Sequence, residues 1–529
     1  MQHILYVLMM SFIAAMVCYP LTHFVASLAQ RWNFVDRPDG HHKSHKKAIS
    51  LGGGLAVFLA AFATFAVEYF SSQDLRRSLS GNVPFLSGLL LACGWIVVLG
   101  LIDDRFGMKG RYKLLGQIIA ALIVIASGLE IHAFSLFAQR IDLGWLSVPF
   151  TLFWLVGAIN SLNLLDGIDG LATTIGIILC SAITVMALWF GQPAVAIVAA
   201  VFAGALLGFL RFNFPPASIF LGDAGSMLIG LVVGSLAIGA SLKGPATMAM
   251  AAPLAIWSLP MFDSFVAILR RKLTGRSIYA TDRGHLHHRL MARFGKNSRV
   301  LGVVAIFCAV TCGGALLSMF MQNDYLAFGS VLLMISILVA TQIFGHVELK
   351  MLANRMRSVG MSLIQPVMGS GSWHTSVRLQ GTREWELLWA TIVSYAENAH
   401  LIDARLDINL AALQESYHAS WKRRSRQERR ELWRAELPLF VNNQVVGRIT
   451  ICGGKDGQAP VSESIGRLLE LLAEIESEIA AFGTPAPASN GADLTATTEL
   501  ERESIDAIDR EPRLISAAQD AQPQKSISE

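Results

Sequence analysis

The sequence predicts an all-α polytopic membrane protein, about 11 transmembrane helices followed by a small cytosolic α+β C-terminal domain. Three observations carry this. Of 529 residues, 53% are hydrophobic and only 16% charged, with a mean hydropathy of +0.49. Apolar runs near the roughly 20 residues needed to cross a bilayer recur along the first two thirds of the chain. Basic residues crowd into alternate loops. A barrel would show short alternating strands instead. The net charge of +4 is small, so its placement matters more than its size.

The runs fall near residues 3–29, 48–70, 84–102, 114–130, 146–162, 170–190, 194–211, 225–242, 248–269, 299–321 and 324–345. The first lacks a basic n-region and a small-residue cleavage site, so it reads as a retained span. The six cysteines, Cys18, Cys93, Cys180, Cys308, Cys312 and Cys452, form no paired motif. Five sit in apolar runs and read as small buried hydrophobes.

The loop after the first span holds Arg31, Arg37, Lys43, Lys46 and Lys47. The loop after the third holds Arg105, Lys109, Arg111 and Lys113, and the loop after the ninth is more basic still. The opposite loops hold Arg76, Arg77, Arg140 and Lys243. Positive residues favour the cytoplasm, so odd spans run inward and the C-terminal region lies inside. "DDRFGMKGRYK", "NLLDGIDG", "FNFPPASIFLGDAGS" and "DRGHLHHR" all follow odd spans, which puts every conspicuous polar cluster on one face.

Past residue 345 the composition changes, giving a membrane domain over 1–345, a cytosolic domain over 346–483 and a disordered tail over 484–529. "TREWELLWATIVSYAENAHLIDARLDINLAAL" reads as helical. "WKRRSRQERRELWR" is strongly basic and reads as a membrane-surface segment or a solvated helix. "ELPLFVNNQVVGRITI" reads as two strands about an Asn-rich turn, and 461–482 as an amphipathic helix.

The polar clusters carry the chemistry. Asp103 and Asp104 end an apolar run, and adjacent carboxylates call for a cation or basic partner; a solvated helix end is the plain alternative. Asp166 and Asp169 lie three apart, each before a glycine, with Asn160 and Asn163 preceding at the same spacing. Acids near the membrane are functional hypotheses by default. Asp223, between Gly222 and an Ala-Gly-Ser helix start, reads as a helix cap or as a ligand; Asn213 and Phe220 precede it. His285, His287 and His288 sit in a basic loop without cysteines, which favours phosphate over zinc. Acids for a divalent cation beside bases for phosphate point to phosphoryl-type transfer on a membrane acceptor. No Walker loop or dinucleotide fingerprint is present, which disfavours ATPase and dehydrogenase readings.

With these motifs in this order, residues 1–345 closely resemble the polyprenyl-phosphate N-acetylhexosamine-1-phosphate transferases. That family includes undecaprenyl-phosphate GlcNAc-1-phosphate and phospho-MurNAc-pentapeptide transferases. The resemblance implies that one of Asp103 and Asp104, Asp103 by preference, deprotonates or orients the lipid phosphate, with Lys113 at a phosphate position. It implies that Asn163, Asp166 and Asp169 serve nucleotide and metal, and that Asp223 is a magnesium ligand, with Asn163 beside it. Phe220 matches the aromatic that stacks on uracil, and Asn213 a neighbouring pocket position. His285, His287 and His288 match the histidine motif at the sugar phosphate. Their His-Leu-His-His form is similar to that of the GlcNAc-type enzymes. "HHKSHKKAISLGGG" resembles the family's donor loop and keeps Lys43, His45, Gly53 and Gly54. His42 stands for its arginine, and Ala48 and Ser50 for its two prolines, which loosens that loop and its donor contacts.

The implied reaction joins N-acetylhexosamine-1-phosphate from a UDP-sugar, UDP-GlcNAc first, to undecaprenyl phosphate and releases UMP. It would initiate envelope polysaccharide synthesis at the bacterial inner membrane. The implied cofactor is Mg2+, with Mn2+ as the alternative. A homodimer is allowed and no nucleic acid is expected. The rival readings are a secondary transporter, which would place polar groups near mid-span and reach them from both sides, and a non-catalytic scaffold.

Overall fold

The computed structural model describes residues 2–37, 48–73, 79–244, 247–273, 284–353, 372–380, 385–399, 401–410, 415–423, 432–441 and 444–454, with five isolated positions besides. The chain divides into two compact units: Met1–Thr382 with Glu415–Arg424, and Arg383–Gln414 with Ser425–Glu529.

The first unit is a helical bundle. Its helices are α1 (Gln2–Arg31), α2 (Gly53–Ser71), α3 (Val83–Phe106), α4 (Gly110–Ala126), α5 (Ser147–Leu165) and α6 (Leu171–Trp189). Then come α7 (Pro193–Asn213), α8 (Gly222–Ser241), α9 (Ala251–Leu273), the short α10 (Leu286–Phe294), α11 (Asn297–Met321) and α12 (Asp324–Ala340). Among the described residues nine helices are long and apolar enough to cross a membrane. The protein is therefore a multi-pass membrane protein. Helices α4 and α12, of 17 residues each, complete the eleven expected runs.

The boundaries moved where local chemistry intervenes. The second run was expected from 48, but Ile49–Ser50 (β2) pairs with Val35–Asp36 (β1) and the helix waits for Gly53. The fourth was expected to reach 130 but stops at Ser127, before Gly128 at φ +98°. The last run ends at Thr341, and Gln342 takes a positive φ.

Helix α8 is the axis of the bundle. It is buried from Ala224 to Ser241 and packs on α2, α3, α5 and α6. Small residues permit this, because membrane helices gain from close backbone approach. A Cβ on Gly100 of α3 would lie 2.2 Å from the Ala224 Cα, and one on Gly54 of α2 would lie 2.2 Å from the Gly225 nitrogen. Both contacts clamp the first turn of α8, where Asp223 sits. At the opposite end of the bundle, Ala133–Leu136 (β3), Gln139–Asp142 (β4), Leu242–Gly244 (β5) and Thr247–Ala249 (β6) form a sheet of order β4-β3-β6-β5, which no sequence pattern announced.

Also in the first unit, Ser372–Gln380 (β7) pairs antiparallel with Glu415–Arg423 (β9). The second unit contains Trp385–Asn398 (α13), Asp403–Leu410 (β8), Leu432–Val441 (β10) and Gln444–Gly454 (β11). Strand β11 pairs antiparallel with both β10 and β8. The hairpin expected over "ELPLFVNNQVVGRITI" is β10–β11. The stretch read as one helix is corrected: among its described residues only Trp385–Asn398 is helical, and "DARLDINL" is a strand because Ala404, Leu406 and Ile408 alternate inward. The basic stretch is also not a helix at its described ends, where Trp421–Arg423 finishes β9 and Leu432–Arg434 opens β10. The expected helix over 461–482 lies outside the described residues, except for Gly466, Leu469 and Glu470, which are helical.

Candidate active site

The site grows from the first turn of α8. Helix N-termini leave unsatisfied N–H groups and a positive field. Asp104, at the end of α3, supplies the cap from outside: its Oδ1 accepts from the Asp223 N–H at 2.8 Å and its Oδ2 from the Ala224 N–H at 3.4 Å. The adjacent Asp103 turns elsewhere. Its Oδ1 accepts the Met108 N–H at 2.6 Å and its Oδ2 pairs with Lys113 Nζ at 2.8 Å. Lys113, on the first turn of α4, also reaches Asp223 Oδ2 at 2.7 Å. One ammonium thus joins two carboxylates from different helices. Asn163 of α5 completes the group, donating to Asp223 Oδ1 at 2.7 Å and to Ser226 Oγ at 2.9 Å. Asn160, one turn earlier, donates to Gln117 Oε1 at 2.7 Å.

The acid loop follows α5. Burial pushes the Asp166 carboxyl well above its usual range, and the charges of Asp223, Asp104 and Asp169 push it further. With Asp103, five carboxylates therefore share one field, of which Lys113 relieves only the Asp103 and Asp223 side. Asp169 Oδ2 accepts the Ala217 N–H at 3.0 Å and so fastens this loop to the segment after α7. Asn213 does the same from within: it accepts from the Gly170 N–H and Thr173 Oγ1 and donates to the Ile219 carbonyl. It is buried, so its bonds are spent on holding loops. Phe220 is tied through its backbone, its N–H donating to the Ser50 carbonyl at 2.9 Å. Lys43 and His45 lie outside the described residues.

The histidine segment opens α10. His285 and His287 are buried and His288 is exposed. The His285 and His287 rings are nearly parallel at 6.0 Å, and His287 meets His288 at 4.2 Å. His287 presses on the acid loop so closely that a Cβ on Gly167 would lie 2.1 Å from its Nε2. Burial pulls the His287 imidazole well below its ordinary pKa, with the charges of His288 and His285 adding to the effect. Its buried Nδ1 has no hydrogen-bond partner among the described residues. The structure thus brings together Asp103, Asp104, Lys113, Asn163, Asp166, Asp169 and Asp223, with His287 against them through Gly167.

Sequence reasoning passed over Gln117, Ser226 and Asp263, and noted Gly167 only as the glycine after Asp166. Asp263 carried a readable signal, since an acid inside an apolar span is costly without purpose. The others are ordinary residues made important by their neighbours.

Among the described residues no three His, Cys, Asp or Glu side chains are arranged to hold a metal. Magnesium does not need three. It keeps waters and takes one or two carboxylates plus substrate phosphates. The oxygen-rich donor set of Asp223, Asp166 and Asn163, in a field one ammonium leaves unbalanced, suits a hard divalent cation.

Fold and site define a membrane-embedded protein with a clustered acid site at the shared end of its helices. Comparison with known sequences places it more closely. The family model "Glycosyl transferase family 4" matches residues 86–241. A probable undecaprenyl-phosphate N-acetylglucosaminyl 1-phosphate transferase of Bacillus subtilis is 34% identical over 289 residues, 54% of this chain and 77% of the relative. A decaprenyl-phosphate N-acetylglucosaminephosphotransferase of Mycobacterium leprae is 32% identical, covering 58% of this chain and 82% of its own. A phospho-N-acetylmuramoyl-pentapeptide-transferase of Thermoanaerobacter sp. is 30% identical, covering 55% and 91%. The chain belongs to glycosyl transferase family 4, among the polyprenyl-phosphate sugar-phosphate transferases.

Proposed function

We propose that the protein transfers N-acetylhexosamine-1-phosphate, GlcNAc-1-phosphate first, from a UDP-sugar to undecaprenyl phosphate, with the site on the cytoplasmic face. The observation that carries this reading is the Asp103–Lys113–Asp223–Asn163 group at the N-terminus of α8. The names of the relatives support it.

In this reading an oxygen of the lipid phosphate attacks the β-phosphorus of the donor. The bond from that phosphorus to the bridging oxygen breaks, and UMP leaves with the electron pair. Lys113 and the N-terminus of α8 supply positive potential for the phosphates. Asp103 orients Lys113, and Asp104 holds the α8 turn that presents Asp223. His287, kept neutral by burial, offers its free Nδ1 to the sugar phosphate. Magnesium, held by Asp223 with Asp166 and Asn163, supplies charge neutralisation at the diphosphate when bound. Holding acceptor and donor in line does most of the remaining work.

The test is purified protein with magnesium, undecaprenyl phosphate and UDP-GlcNAc, UDP-GalNAc and other UDP-sugars, reading UMP release. Asp223→Ala should abolish turnover while the protein still melts cooperatively. No UMP from any donor with the unaltered protein would refute the assignment.

A further inference from the structure

The least expected polar group in the bundle is Asp263, fully buried within α9. A buried carboxylate is tolerated only when paired and hydrogen-bonded. Both partners of Asp263 come from one place. Its Oδ2 meets His285 Nδ1 at 2.8 Å, and its Oδ1 accepts the Leu286 N–H at 2.7 Å. These are neighbouring residues at the start of α10, with His285 as its N-cap. His285 places no side-chain cap on its own helix, so the carboxylate of Asp263 fills that function from α9. Because a carboxylate only accepts, Nδ1 of His285 must carry the hydrogen. This fixes the ring by the logic of carboxylate–histidine pairs, in which one nitrogen is held and the other is presented.

The consequence reaches the acid loop. The ring of His285 lies parallel to that of His287, and His287 closes on Gly167 between Asp166 and Asp169. We infer that Asp263 is the positioning residue of the histidine segment: it pins the N-terminus of α10 and the His285 ring so that His287 meets the acid loop in register. It does not touch substrate. The arrangement parallels Asp104, which caps α8 from α3. Each of two helices that bring side chains to the site is thus held at its N-terminus by a carboxylate from another helix. The inference rests on the functional reading above for its kinetic arm only.

The test uses the full chain in lipid nanodiscs as wild type, Asp263→Asn, His285→Gln and the double variant. The amide is isosteric but offers His285 a donor as readily as an acceptor, which frees the ring to change tautomer. Histidine-selective nitrogen NMR, with the His285 signals identified by their loss in His285→Gln, should show protonated Nδ1 in wild type and a shifted signature in Asp263→Asn. UMP release should fall about 10–100-fold in each single variant through kcat, the usual loss for such supporting partners. The double variant should be no worse than about threefold below the weaker single, because the two act as one unit. Losses that multiply, or His285 signals unchanged in Asp263→Asn, would overturn the inference. If Asp263→Asn does not fold, His285→Gln decides alone: it keeps the carboxylate and the Leu286 bond, and undiminished turnover would overturn the inference. If the wild type releases no UMP, the functional reading fails, while the NMR arm still judges the positioning of His285.

Discussion

Lys113 is the residue on which the site's charge balance turns. It is the cation that both Asp103 and Asp223 contact, so its removal leaves two half-buried carboxylates facing each other. Lys113→Met should lower UMP release by about 10²–10³-fold, the scale for losing one preorganised charge in a protected site, while the bundle stays folded. Turnover within tenfold of wild type would show that the ammonium only balances charge at rest. His287 makes a separate prediction in stability. Its folded pKa is depressed, so below about pH 6.5, where a free imidazole titrates, the unfolded chain holds a proton the fold refuses. Its contribution is complete above that pH and is lost on acidification. The melting temperature of His287→Gln should therefore fall less than that of wild type between about pH 7.5 and 5.5. Parallel curves would show that His287 titrates normally. At this scale the sequence was informative where an acid ended or followed an apolar run, as at Asp103, Asp166 and Asp223, while the same signal at Asp263 went unread. It was silent on how two adjacent acids divide their work. Asp103 turns to Lys113 and Asp104 to the α8 backbone, and only the packing of α3 against α8 decides which does which.

Helix α8 shows what an element must do to hold a charged turn at a membrane boundary. Its first turn is clamped by backbone approach at Gly54 and Gly100 and capped by Asp104. Gly100→Ala should therefore cost about 1–3 kcal/mol, because a methyl meets the α8 backbone and must displace it, and turnover should fall with the melting temperature. Gly94→Ala on the same helix is the control, since its Cβ would meet only Phe58 at an ordinary 3.8 Å. Equal behaviour of the two variants would show that α8 is not held by close approach. The apolar helices were legible because length and hydropathy are local properties. The sheet of β3 to β6 was not, since β3 pairs in parallel with β6 from a segment more than a hundred residues away. Strand β8 was legible in principle, through the alternation of Ala404, Leu406 and Ile408, but strong helix formers flank it and hid the period.

For the whole molecule, the charges and the site make one statement about orientation. Asp103, Lys113, Asp166, Asp223 and His287 lie at one end of the bundle because α3, α5 and α7 end there while α4, α6 and α8 begin there. The β3–β4 hairpin, joining α4 to α5, must lie at the other end. The basic loops share the end with the acids, and the positive-inside rule thereby supports the proposed placement of the site on the cytoplasmic face, where soluble nucleotide sugars are found. A secondary transporter would show polar groups near mid-span. Here the acids of the proposed site stand at helix ends, Asp263 within α9 is taken up by His285 and Leu286 at the start of α10, and the buried α8 is apolar or small along most of its length. Orientation is open to direct measurement. Five of the six native cysteines are buried and Cys452 is half-buried, so the background for thiol labelling is low. Gln139→Cys, on exposed β4, should react with a membrane-impermeant maleimide in intact cells stripped of their outer membrane. Ala292→Cys, exposed on α10, should react only after the membrane is opened. The reverse pattern would place the acid cluster outside, away from any cytoplasmic UDP-sugar, and would refute the proposed reaction together with the orientation.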